Sequence, residues 1–230
     1  MKLATLFSGG KDSTYATYVM AQKGHEIAFL LTVESSDVDS LMFHTANIEI
    51  AGQVAECMGI RCIVTQSSPG EELKRLGDAI IEARDNGAEG IVTGAIQSDY
   101  QYTRIERLCF DAGIRCFSPL WRKNQLMLLK DVVNAGLKAM IVAIAAEGLD
   151  ESFLGKTIDI GIVSKMEKLQ MKFGVNPSGE GGEYETIVID SPLHRQRLEI
   201  EESEIVKRGQ SSLLKMKRIK RIEKAFSKRD

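Results

Sequence analysis

Apolar residues in the first half of the chain fall in short unbroken runs rather than in alternation. The runs at 2–7, 26–33, 60–65, 89–93 and 114–117 read as strands covered on both faces, as a parallel sheet requires. Between them apolar positions recur at helical spacing: Tyr15, Ala16, Val19 and Met20, then Ile50, Ala51, Val54, Ala55 and Met58, then Leu73, Leu76, Gly77, Ile80 and Ile81. Ser68-Pro-Gly-Glu71 predicts the start of the third helix, with Ser68 as N-cap, Pro69 at the first helical position and Glu71 able to close a capping box. Gly24, Gly59, Gly87 and Gly113 mark helix ends. The pattern predicts an α/β fold, a doubly wound parallel five-stranded sheet. Right-handed crossovers then favour the order 3-2-1-4-5, which opens a crevice between strands 1 and 4.

Beyond Pro119 the pattern changes. It predicts a helix over 124–134, a strand over 138–145 and a helix over 159–173 ending at Gly174. A turn-rich loop over 176–186 leads into an apolar strand at 187–190, and 197–206 alternates apolar and charged residues as a half-exposed strand does. The expected organisation is a nucleotide-binding domain over 1–120 and a smaller C-terminal α+β domain over 121–230, packed on the carboxyl edge of the first sheet.

Composition adds limits. The chain has 230 residues, 43% hydrophobic and 27% charged, the profile of a water-soluble globular protein. The longest apolar stretch, Ala139 to Ala146, is far short of a bilayer span, and no signal-peptide pattern precedes the first strand, so the expected location is cytoplasmic, with no membrane partner. Cys57, Cys62, Cys109 and Cys116 form no Cys-x-x-Cys pair and read as reduced structural thiols. The net charge of −2 conceals a basic tail: ten lysines and arginines after position 206 against Glu223 and Asp230 give +8 there and −10 elsewhere. Such a tail suits RNA or an acidic protein surface, but aromatic residues for base stacking are nearly absent, so a solvated strand or helix is favoured over nucleic-acid binding.

Chemistry concentrates in the loops. Ser8-Gly-Gly-Lys-Asp-Ser13 follows the first strand and opens a helix near Asp12: its glycines allow a sharp turn, and the helix start offers N–H groups and a positive dipole end to a phosphate. Lys11 adds a mobile charge. The spacing is not that of a Walker A loop. Across the expected crevice, Thr93-Gly-Ala-Ile-Gln-Ser-Asp-Tyr-Gln101 opens another helix; Ser98 or Asp99 can cap it, Gly94 permits close backbone approach, and Arg104 is in reach of phosphate or carboxylate. Asp37, Asp39 and His44 follow the second strand, His44 reading as a structural hydrogen-bonder. Glu180, Glu183 and Glu185, set among Gly181, Gly182 and Tyr184, could orient a metal–nucleotide complex, hold a cation or relay protons.

The first loop resembles the pyrophosphate loop of the ATP pyrophosphatases. Together with Asp39-Ser-Leu-Met-Phe-His44, Gly94 to Gln101, Pro119-Leu-Trp121 and Gly179-Glu-Gly-Gly-Glu-Tyr-Glu-Thr186 it resembles the diphthine-ammonia ligase family, N-type ATP pyrophosphatases with an adenine nucleotide alpha hydrolase-like core. The resemblance runs from Leu3 to about Pro192, departing at Ser178, where a cysteine is expected in many relatives. It implies ATP-dependent amidation of diphthine on translation elongation factor 2, with ATP and Mg²⁺ required and ammonia as the nitrogen donor. Ser8, Gly9, Gly10, Lys11, Asp12, Ser13, Gly94, Ala95 and Ile96 would hold ATP, Lys11 and Arg104 would act in catalysis, and Asp99, Tyr100, Gln101, Arg104, Trp121 and Glu180 to Glu185 would meet the substrate. A further expectation is a receptor for the substrate's quaternary ammonium built from Glu180, Glu183, Tyr184 and Trp121. A tRNA-thiolating pyrophosphatase and a non-catalytic ATP sensor remain as alternatives; metal ligands, any general base and the oligomeric state, a homodimer included, are left open.

Overall fold

The computed structural model describes residues 1–35 and 47–224. Five parallel strands, β1 (Lys2–Leu6), β2 (Glu26–Ser35), β3 (Arg61–Ser67), β4 (Gly90–Val92) and β5 (Arg115–Phe117), lie in the order β3-β2-β1-β4-β5. Helices α1 (Lys11–Gln22), α2 (Ala51–Met58), α3 (Glu72–Asp85) and α4 (Asp99–Asp111) connect them. The order is the expected one: because β1 pairs with both β2 and β4, the winding reverses at β1, and the loops after β1 and β4 stand side by side at the carboxyl edge. Gly24, Gly59, Gly87 and Gly113 all take positive φ just after helices, as expected.

The start of α3 differs. Ser68 caps nothing; Glu71 N–H donates to Ser68 O at 3.0 Å and Gly70 has φ +81°, so Ser68-Pro-Gly-Glu71 is a type II turn. The helix begins only at Glu72, whose carboxylate accepts from Gly70 N–H at 3.0 Å. Ser-Pro-Gly satisfies both motifs, and the left-handed glycine decides between them.

The second half contains α5 (Gln125–Asn134), β6 (Lys138–Ile144), α6 (Ile160–Phe173), β7 (Tyr184–Asp190), β8 (Gln196–Arg208) and β9 (Ser211–Glu223), with the strands antiparallel in the order β7-β6-β9-β8. Asn124 and Asp159 cap α5 and α6 through side-chain oxygens, and Gly174 ends α6 at φ +70°. The two halves share their hydrophobic interior. Leu3, Tyr15, Met20 and Val92 pack in one cluster with Leu128, Ile141, Tyr184 and Val188, while Phe7, Leu30 and Val54 join Val142, Ile187 and Leu198 in another.

The basic segment becomes β9, paired along its length with β8 from Gln196↔Glu223 to Arg208↔Ser211. Its charges meet acids: Lys217 pairs with Glu204 at 2.6 Å and Arg218 with Glu201 at 2.8 Å, while Arg221 pairs with Glu56 on α2. Among the described residues no helix is long and apolar enough to cross a membrane.

Candidate functional site

β1 ends at Leu6, and Phe7 N–H donates to Leu31 O at 2.7 Å, holding the chain in line as it enters the loop. Gly9 then takes φ +76°, and Gly10 stands extended at the N-cap of α1 without a side-chain cap. The loop is laced internally: Gly10 N–H donates to Ser8 Oγ at 3.3 Å, Ser13 Oγ donates to Gly10 O at 3.2 Å, and the two hydroxyls lie 3.3 Å apart. The helix begins at Lys11, one residue before its expected start. Lys11 N–H, which a phosphate would otherwise receive, donates to Thr186 Oγ1 at 3.0 Å. Val188 N–H donates to Gly9 O at 2.8 Å, so β7 closes the outer side of the loop.

On the facing side, Gly94 is required by the protein's own packing. A Cβ there would lie 2.8 Å from Ser13 N and 2.9 Å from Asp12 C, so the close approach it allows is to the first turn of α1. The same loop is fastened from the second half. Glu180 Oε1 accepts from three successive backbone N–H groups, Ile96 at 3.3 Å, Gln97 at 2.9 Å and Ser98 at 3.0 Å, an amide concavity of the kind that holds anions. Ser178 Oγ donates to Gln125 Oε1 at 2.7 Å, and Gln125 Nε2 donates to Gln97 Oε1 at 2.7 Å. Ser98 caps α4, accepting from Gln101 N–H at 3.3 Å.

Between these loops lies a cleft of about 1030 Å³, its open mouth included. Ser8, Gly10, Lys11, Asp12 and Ser13 form one wall, and Gly94, Ala95 and Gln101 another. Glu180, Tyr184, Glu185 and Thr186 close it from the second half, over an apolar floor of Leu6, Leu31, Val33 and Ile105. Gly9 and Ile96 are not among the lining residues. Lys11 is 4% exposed; its Nζ lies 2.8 Å from Asp12 Oδ2 and 5.1 Å from the centre of the Tyr184 ring. Asp12 Oδ1 is buried without a hydrogen-bond partner among the described residues. A carboxylate oxygen left unpaired beside the Ser8–Ser13 loop fits the one or two protein carboxylates that Mg²⁺ commonly takes when it arrives with a nucleotide. No cluster of three or more metal-binding side chains occurs among the described residues.

Several expected residues stand elsewhere. Arg104 lies 3.4 Å over the Tyr100 ring and donates to Tyr100 O, outside the cleft lining. Trp121 stacks on Tyr102 at 4.1 Å, and Asp99 faces Arg122 at 3.5 Å on the surface. Gly181 and Gly182 turn the chain: Glu183 Oε2 accepts from Gly181 N–H at 2.8 Å and Glu183 Oε1 from Asn176 N–H at 3.1 Å. Of the four residues of the expected ammonium receptor, Glu180 and Tyr184 line the cleft, whereas Glu183 and Trp121 do not. Glu180 and Glu183 are held by backbone N–H groups, Trp121 by Tyr102, and the Tyr184 ring faces Lys11. Asp37, Asp39 and His44 lie outside the described residues. Thr186 as a loop-holding residue, Val188, Gln125 and the apolar floor are not among the site residues expected from the sequence. Only Thr186 carried a signal, as the last residue of the Gly179 motif.

Burial sets the protonation states nearby. It raises the Tyr184 phenol well above its ordinary range, with Asp12 and Glu183 adding to the effect, so the hydroxyl stays protonated and donates to Pro177 O at 2.6 Å. It also pushes the Cys57 thiol up to about 11, in keeping with a structural role.

Family models for the diphthamide synthase N-terminal and C-terminal domains match residues 1–116 and 124–222. The chain belongs to the diphthamide synthase family. Among members of this family, the diphthine–ammonia ligase of Homo sapiens is 34% identical over 229 residues, covering 90% of this chain and 85% of that protein. The one of Schizosaccharomyces pombe is 34% identical over 239 residues, covering 94% of this chain; the chain spans only 39% of that longer relative. A Methanocaldococcus jannaschii structure described as a tRNA methyltransferase subunit overlays 84% of this family member and 98% of its own chain at 17% identity and TM-score 0.46, too loosely to bear on function.

Proposed function

We propose that this chain amidates diphthine, the modified histidine of translation elongation factor 2, using ATP and ammonia and releasing AMP and pyrophosphate. The observation that carries the reading is the meeting of Ser8–Ser13 with the Gly94 loop at the switch point of the sheet, in a member of the diphthamide synthase family whose Gly179–Thr186 motif closes both loops.

The chemistry follows from what a carboxylate lacks. Its oxygen is a poor leaving group, so one carboxylate oxygen attacks the α-phosphorus of ATP and pyrophosphate departs. Ammonia then adds to the acyl carbon, AMP leaves with that oxygen, and the surplus proton passes to solvent. The protein's task is to hold ATP with its α-phosphorus exposed and to stabilise the departing charge. The hydroxyls of Ser8 and Ser13 and the amino end of α1 face the pyrophosphate, Lys11 supplies a fixed positive charge beside it, and the apolar floor receives the adenine. Asp12 would hold Mg²⁺, which when bound would supply counter-charge to the phosphates. Tyr100, Arg104, Asp99 and Trp121, close to Gln101 and Ile105 but outside the lining, are assigned to the approach of the protein substrate rather than to the reacting phosphorus. Residues 1–120 supply the nucleotide site and 121–230 its lid and substrate side, in a cytoplasmic protein.

Incubation with ATP, Mg²⁺, ammonium and diphthine-bearing elongation factor tests this. AMP should appear only when all are present, and Lys11→Ala should abolish it. ATP bound but uncleaved in every combination would overturn the reading in favour of a sensor.

A further inference from the structure

We propose that Tyr184 is a positioning residue for Lys11, its buried ring face holding the lysine ammonium against the phosphate side of the cleft. The inference rests on the ATP-site reading and assigns Tyr184 to the nucleotide rather than to the substrate's quaternary ammonium.

Lys11 is a buried cation with little to hold it. Its Nζ donates to Asp12 Oδ2 at 2.8 Å, and an ammonium carries three donors, so the remainder are available to an anion in the cleft that both residues line. A side chain of four methylenes needs something to fix its direction, and the ring of Tyr184 lies 5.1 Å from Nζ, within cation–π range. The ring itself cannot swing. Tyr184 is 1% exposed, and its hydroxyl is tied to Pro177 O. A Cβ at Gly179 would come within 3.0 Å of the ring's Cδ1 and Cε1, so that glycine admits the ring flat against the backbone. Because burial keeps the phenol protonated, the face toward Lys11 belongs to a neutral ring. A trimethylammonium seeking this face would have to displace Lys11.

The test uses the full chain and inorganic pyrophosphate with Mg²⁺ as probe, measured by calorimetry, alongside steady-state AMP formation. Tyr184→Leu should weaken pyrophosphate about tenfold and lower kcat while leaving KM for the diphthine-bearing protein unchanged. Tyr184→Phe, which keeps the ring, should recover most of both. Where Tyr184→Leu fails to fold, progressively fluorinated phenylalanines at position 184 keep the ring's shape and drain its face, and affinity should fall stepwise with fluorine number. In a Lys11→Ala background, changing Tyr184 should cost pyrophosphate affinity nothing further, which a merely structural role would not give. Equal damage from Tyr184→Phe and Tyr184→Leu, or a raised KM for the protein substrate with pyrophosphate affinity intact, would overturn the proposal. Wild-type protein that does not bind pyrophosphate would instead bring down the ATP-site reading, and the proposal with it.

Discussion

Residues 179–186 and the β8–β9 hairpin both carry dense charge, and they place it under opposite conditions. In the first, Glu180 accepts from three N–H groups of the facing loop and Glu183 from two of its own, so each carboxylate organises backbone next to the cleft. In the hairpin, acids and bases meet across strands on the surface; the Lys217 and Glu204 side chains are 43% and 44% exposed. Exposed pairs contribute from nothing to about 1 kcal/mol, whereas a carboxylate that satisfies several backbone donors leaves them all unpaired when removed. Charge density alone does not separate the two segments; what each charge touches does.

The largest test of that contrast is Gly94→Ala. Its Cβ would press on the backbone of Asp12 and Ser13, and AMP formation should fall about 100-fold through displacement of the Ser8–Ser13 loop. Activity within a few-fold of wild type would break the view that the two loops are mutually fitted. At the foot of the hairpin, His194 is buried, with Nδ1 2.7 Å from Ser191 Oγ, and burial lowers its pKa to about 4. The unfolded chain binds this proton near pH 6.5, so the group's contribution is whole above that pH. It should be lost as pH falls toward 4, by about 3 kcal/mol in all. Denaturant melts across this window should show the slope, and His194→Gln should flatten it. Glu180→Ala should cost about 2 kcal/mol of stability and roughly tenfold in activity, with Glu180→Gln recovering part because an amide oxygen still accepts. An unshifted melting curve for Glu180→Ala would erase the contrast. Smallest of all, Glu204→Ala should change stability by no more than about 0.5 kcal/mol and leave AMP formation unaltered.

The parallel sheet was legible because β1 to β5 are apolar runs joined by short helical connections, which admit few windings. The Ser8–Ser13 and Gly94 loops were legible because glycine, serine and lysine are unusual directly after buried strands. What joins the two loops was not. Glu180 meets residues 84, 83 and 82 positions away, and Gln125 links Gln97 to Ser178 across 28 and 53 positions. Such pairings depend on the placement of the second sheet, which carries no local sequence signal. Tyr184 to Thr186 read as loop because turn formers precede them, yet they begin β7 with Tyr184 buried. The basic segment was legible as a solvated strand or helix, but not its pairing, because its counter-charges lie on β8 and α2, in a register that the period of either strand alone does not reveal.

The hydrogen bond from Val188 N–H to Gly9 O has a consequence in time as well as in space. It closes a chain loop running from residue 9 to residue 188, so residues 8–13 leave the ribosome long before the strand that completes them. A contact of that sequence separation forms late, after the entropy of closing the intervening chain has been overcome. The candidate site is therefore a product of late folding, and a growing chain short of β7 carries the Ser8–Ser13 loop without the grip that shapes it.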